Sequence, residues 1–205
     1  MSQNDPYADR KKLTFEQAEG VEPLPRQLLL KEMSSELRAL LWEVVYFSIT
    51  IELFDDFLGQ RWGNILRDHH VNHAHLAVVE FDHSGSNHII NLKTIFFSGH
   101  YLLIFGFLQF VLRHKNVPRD FSKEIDCALV RGRAAYRVLE ARTIIPVGSE
   151  AELATLERAF VDLTASEFRG ARSHLHAAGS ELTAGNFTSS VRESIHAVES
   201  CCPNP

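Results

Sequence analysis

The sequence predicts an α+β chain built mainly from helices. Apolar residues recur at helical spacing over long stretches, as in Leu37, Leu41 and Val45 or Leu156, Phe160 and Leu163. One segment alone, Tyr136 to Val147, loses that period and concentrates β-branched and aromatic residues, which predicts one or two short strands closed by Pro146. Pro, Gly and Ser breaks fall between the periodic stretches and separate them into elements.

Residues 1–27 are polar and interrupted by Pro6, Pro23 and Pro25, so they read as an extended arm. The first helix starts after Ser34 or Ser35, either of which can cap its free amides, with Glu36 favourable in the first turn. Its apolar face, from Leu37 to Phe54 and including Trp42 and Phe47, carries it to about Phe57, and these aromatics read as core. Residues 60–91 mix polar and histidine-rich stretches and take no assignment. Thr94 to Leu112 lacks Asp, Glu, Lys and Arg, which poses a membrane helix against a buried one; Ser98, Gly99, His100, Gly106 and Gln109 dilute it and favour burial. A break at Asn116-Val117-Pro118 precedes a helix over about Arg119 to Arg131. After the β segment, Ser149 with Glu150 and Glu152 starts a helix carrying Leu153, Leu156, Phe160 and Leu163. Two more follow, over about Ala165 to Leu182 and Thr188 to Glu199, parted by Thr183-Ala184-Gly185-Asn186.

The 205 residues are 45% hydrophobic and 23% charged, the balance of an ordinary globular chain, with 14 Phe against 4 Tyr as apolar anchors. A net charge of -5 with scattered Lys and Arg offers no stripe for a run of phosphates, which argues against tight non-specific nucleic-acid binding. Cys127, Cys201 and Cys202 form neither a disulfide framework nor a zinc spacing. With no signal-peptide pattern at the N-terminus, the expected location is cytoplasmic.

Three stretches carry a family resemblance: Met33 to Trp42, with its Leu37-Arg38 pair; Ala135 to Val147, with Tyr136-Arg137 and Pro146; and Gly170 to Ala178 followed by Asn186 to Ser200, with Glu193, Ile195 and Glu199. Together they resemble abortive-infection proteins of the AbiJ type, in which a fourth-type N-terminal domain precedes a HEPN domain. The resemblance implies an N-terminal sensing domain over residues 1–132, a short β element over 133–148, and an incomplete HEPN-like helical region over 149–205. It implies a sensor that controls a HEPN ribonuclease in anti-phage defence. The family's catalytic Arg–His helix lies beyond the last motif matched here, so the expected role is regulatory. The expected partners are a second copy or a separately encoded HEPN protein, with an RNA or phage-derived trigger and no cofactor. Glu193 and Glu199 are expected at an inward polar contact or a dimer contact.

HEPN chemistry needs an arginine to hold the scissile phosphate and a histidine to move protons near its own pKa. Arg67 with His73, Arg169 with His174, and Arg169 with His176 have that spacing, which arises readily by chance in a histidine-rich chain. Arg169 and His174 define the alternative reading, an active endoribonuclease. His69 and His73, one helical turn apart in Asp68 to His75, define a second alternative, a metal-binding protein. Val191, Ile195 and Val198 line one face of the last helix behind Phe187, a stripe that needs an apolar cover.

Overall fold

The computed structural model describes Phe15, Val21 and residues 26–147, 150–163 and 168–201. Helix α1 spans Ser35–Thr50, α2 Gln60–Asp68, α3 Gly85–Ser98, α4 Tyr101–Arg113 and α5 Phe121–Arg131. Strands β1 (Tyr136–Leu139) and β2 (Thr143–Pro146) form an antiparallel hairpin, and α6 (Glu150–Asp162), α7 (Arg169–Ala184) and α8 (Phe187–Glu199) follow. The predicted class, mainly helical with a small two-stranded sheet, is the class observed.

Helix α1 starts where the sequence places it, with Ser34 Oγ accepting from the Leu37 amide at 3.1 Å. It ends at Thr50 rather than near Phe57, because Asp55 and Asp56 take left-handed backbone angles and fold the chain back in a tight turn between Phe54 and Phe57. The buried stripe of α1 is narrow, Leu37, Leu41, Val45 and Ile49. Phe47 and Phe54 therefore correct the expectation of an aromatic core: they are 55% and 78% exposed. Trp42 does pack inward, its ring 5.7 Å from that of Phe96.

The unassigned stretch holds α2, a π-helical turn over His69–His73, a 3-10 turn over Val78–Glu80 and the start of α3. The long apolar segment 94–112 is two helices, broken at Gly99. A side chain there would sit 2.3 Å from the Ile95 carbonyl oxygen, and the carbonyls at the α3 end are instead taken by Arg38, which donates to Phe96 O at 2.7 Å and Gly99 O at 2.9 Å. Among the described residues no helix is long and apolar enough to cross a membrane. Helix α4 is buried through Ile104, Leu108 and Val111, in one core with α1, α2, α3 and α5 that includes Trp62 and Phe121.

The hairpin separates this core from a smaller one. Tyr136, Val138 and Ile144 face the large core, whereas Leu139 and Ile145, with Val147 beyond the strand end, meet Phe160, Leu156 and Leu175. Both faces are covered, so the strands carry no apolar–polar alternation. Helices α7 and α8 form an antiparallel pair turned at Gly185, whose φ of +83° suits glycine, and joined by small residues: Ala178 and Ala197 are buried, and Ser190 donates to Ala178 O at 2.9 Å. The expected Ser149 cap, the Leu153 side chain, the start of a helix at Ala165 and Cys202 lie outside what the structure describes. The helix after Pro118 begins at Phe121, and Phe160 and Leu156 are in the small core as expected.

Candidate functional site at the hairpin

The β1–β2 turn is made by Glu140 and Ala141, both with positive φ (48° and 58°). Neither is glycine, and a side-chain-bearing residue in that region costs about 1 kcal/mol. What the turn achieves is the placement of three groups beside α7: the Glu140 carboxylate, the Arg142 side chain and the buried Thr143 hydroxyl.

His176, on α7, lies between them. Its Nε2 is 2.6 Å from Glu140 Oε2 and its Nδ1 is 3.3 Å from Thr143 Oγ1, while its ring packs at a tilt against buried Phe160, centroids 4.6 Å apart. A carboxylate accepts only, so Nε2 carries the proton toward Glu140 and Nδ1 accepts from Thr143. Burial holds the His176 pKa below its ordinary value; the Glu140 contact opposes this, and the nearby Arg172 and Arg113 charges reinforce it. The imidazole is therefore neutral at pH 7. Glu140 is also bonded to Arg172.

Arg113, the last residue of α4, reaches the same place. It donates to Ser180 Oγ at 2.7 Å, to Thr143 Oγ1 at 3.3 Å and to the Arg142 carbonyl at 3.4 Å. All three acceptors are neutral. Burial and the adjacent Arg142 charge hold the Arg113 pKa below its ordinary value. Arg113, Arg142, Thr143, His176, Ser180 and Glu181 line an open cavity of about 470 Å³. On the α4 side Arg113 also walls a second cavity of about 530 Å³, lined by Gly106, Gln109, Phe110, His73 and Lys115 and by the Asp68–His114 pair. Gly106, Gln109, Phe110 and Arg113 share one face of α4 at i, i+3, i+4 and i+7 spacing.

Of the sequence-predicted nuclease pairs, Arg169 and His174 both lie on α7, Arg169 as its first residue. The His174 Nδ1 is 2.7 Å from Glu193 Oε2 on α8, and its ring lies 5.4 Å from that of His196. This contact holds the Glu193 carboxyl below its usual range. Glu193 thus reaches α7 through a partly exposed pair, and Glu199 pairs with His196 on its own helix at 3.1 Å. His176 faces the hairpin, on the opposite side of α7 from His174. Arg67 donates to Asn64 Oδ1 at 3.2 Å, one turn back on α2.

His69 and His73 do stack, with ring centroids 4.7 Å apart, and His69 is wedged between Phe107 and Phe110. Burial, with the His73 and His70 charges, lowers the His69 pKa to about 4. Among the described residues no group of three or more His, Cys, Asp or Glu is arranged to hold a metal.

The remaining motif residues have structural places. Leu37 is fully buried and packs toward Gly132. Tyr136 accepts the Lys31 amide on its hydroxyl at 3.1 Å. Arg137 donates to Ala134 O and Tyr136 O at 2.8 Å each, Pro146 pairs across the sheet with Tyr136, and Ile195 is 52% exposed. Sequence reasoning missed Arg113, Arg142, Thr143 and Ser180. The one available signal was the polar interruption of an apolar helix by Gly106 and Gln109. No protein-family model, curated protein or solved structure matches this chain.

Proposed function

We propose that this chain is the sensing and regulatory part of an abortive-infection system of the AbiJ type, controlling a HEPN ribonuclease rather than cutting RNA itself. The observation that supports this reading is the bridging position of α7. One of its sides is tied to α4 and the hairpin through Arg113–Ser180 and His176–Glu140, and the other to α8 through His174–Glu193. A change at the α4 face therefore has a contiguous route to α8. Helix α8 presents an uncovered stripe of Phe187, Val191, Ile195 and Val198, the kind of surface through which a regulator holds a second copy or a HEPN partner.

Two measurements test it. The purified chain is expected to leave single-stranded and structured RNA intact, and co-expression with an AbiJ-type HEPN ribonuclease domain is expected to change the growth arrest that domain causes. RNA cleavage abolished by His174→Ala would make Arg169 and His174 the active pair and sink the regulatory reading. The competing nuclease reading has one further observation in its favour: a neutral imidazole, His176, beside two guanidiniums. Cleavage lost in His176→Ala but kept in His174→Ala would select it.

A further inference from the structure

We infer that the face of α4 between Gly106 and Arg113, together with the hairpin turn and Ser180, is a binding site for a nucleoside monophosphate. The phosphate would be held by Arg113, Arg142 and the Ser180 hydroxyl, and the flat base would lie over Gly106 against Phe110.

The charges come first. Among the described residues neither Arg113 nor Arg142 has a carboxylate at ion-pair distance, although both line the same cavity. Of the acidic groups that line the two cavities, Glu181 accepts from the Asn186 side-chain amide at 2.9 Å and Asp68 lies 3.0 Å from His114 Nε2, while Glu140 pairs with Arg172 and His176. Two like charges brought together with only neutral partners repel each other and are relieved by an anion. A guanidinium fork suits phosphate, and a neighbouring hydroxyl adds a donor.

The size of the ligand follows from what surrounds the arginines. A net charge of -5 without a basic stripe is wrong for a polynucleotide, whereas a cavity of about 470 Å³ is of small-molecule size.

The organic half of the ligand is argued from Gly106. A methyl group there would meet nothing within 4 Å outside its own helix, so neither close packing nor a left-handed backbone requires glycine. Glycine inside a helix is unfavourable, and at this position it leaves an open floor next to the Phe110 ring, His73 and Lys115. Arg113 belongs to both cavities, which links the phosphate end to the aromatic end.

Adenosine 5′-monophosphate, ribose 5-phosphate, inorganic phosphate and a single-stranded oligoribonucleotide, each titrated into the full chain by calorimetry, test this. The nucleotide is expected to bind with a Kd below about 1 mM, more tightly than the other three. Arg142→Gln, an exposed position, is expected to weaken it by about tenfold or more. Gly106→Phe, which fills open space without disturbing the core, is expected to reduce nucleotide affinity to that of ribose 5-phosphate. No binding, wild-type affinity retained by either variant, or tighter binding of the oligonucleotide would each overturn the inference, as would inorganic phosphate binding as tightly as the nucleotide. The site stands apart from the regulatory reading: a chain that binds nothing yet still alters HEPN-induced arrest leaves that reading intact.

Discussion

Arg113, at the end of α4, donates to Ser180 on α7 at 2.7 Å across 67 positions of sequence. Through this bond the helical core and the α7–α8 pair are held at one place, the open side of the hairpin.

Removing either end of that bond should destabilise the fold modestly. Ser180→Ala is expected to cost about 1 kcal/mol in urea unfolding, since the donor is charged but solvent reaches it. Arg113→Gln should cost a similar amount, and the double variant no more than either alone. Strict additivity of the two would mean that the bond is not made in solution.

Acid should weaken the protein through His69. In the folded chain its pKa is about 4, against 6.5 for the free side chain, so the unfolded chain binds more protons between those values. The stability contributed by the neutral ring is complete above pH 6.5 and falls as pH drops toward 4, by about 1–2 kcal/mol after allowance for solvent screening. His69→Phe should flatten that part of the stability–pH curve. His176, shifted the same way, would keep its own smaller slope. An unchanged curve in the variant would rule out His69 as the source.

Ala141→Gly should raise stability by about 0.5–1 kcal/mol, because glycine takes a φ of 58° without steric cost. Thermal unfolding reads this directly. A lower melting temperature would show that the turn is not strained.

Two aromatic truncations should differ sharply. Trp62 is fully buried, stands edge-on to Phe121 at 6.0 Å and donates to Ser48 Oγ at 3.1 Å, so Trp62→Ala should cost about 3–5 kcal/mol. Phe47 points outward, and Phe47→Ala should stay within about 0.5 kcal/mol. Similar losses from both, measured by denaturant titration, would contradict the packing of α1 described above.

The stripe on α8 predicts association. Light scattering on the wild type should give a mass above the 23.2 kDa of one chain, and replacing Val191 and Ile195 together by Ser should return it to that value without loss of helix by circular dichroism. A wild type that remains at one chain mass at high concentration would show that the stripe is tolerated in water.

The sequence by itself determined whatever depends on neighbours along the chain. The Ser34 cap, the strands at Tyr136 to Pro146, the break at Gly185 and the α8 stripe were all legible, because capping, turn chemistry and periodicity act within a few residues. Tertiary structure alone decided which apolar residues are core. Phe47 looked like an anchor but falls off the narrow stripe that α5 and α3 cover, and Asp55 with Asp56 ended α1 before Phe54 could join it. The candidate site was invisible for the same reason. Arg113, Arg142 and Ser180 come from three elements far apart in sequence, and they meet because the hairpin, covered on both faces, is clamped between two cores that bring α4 and α7 to its open edge.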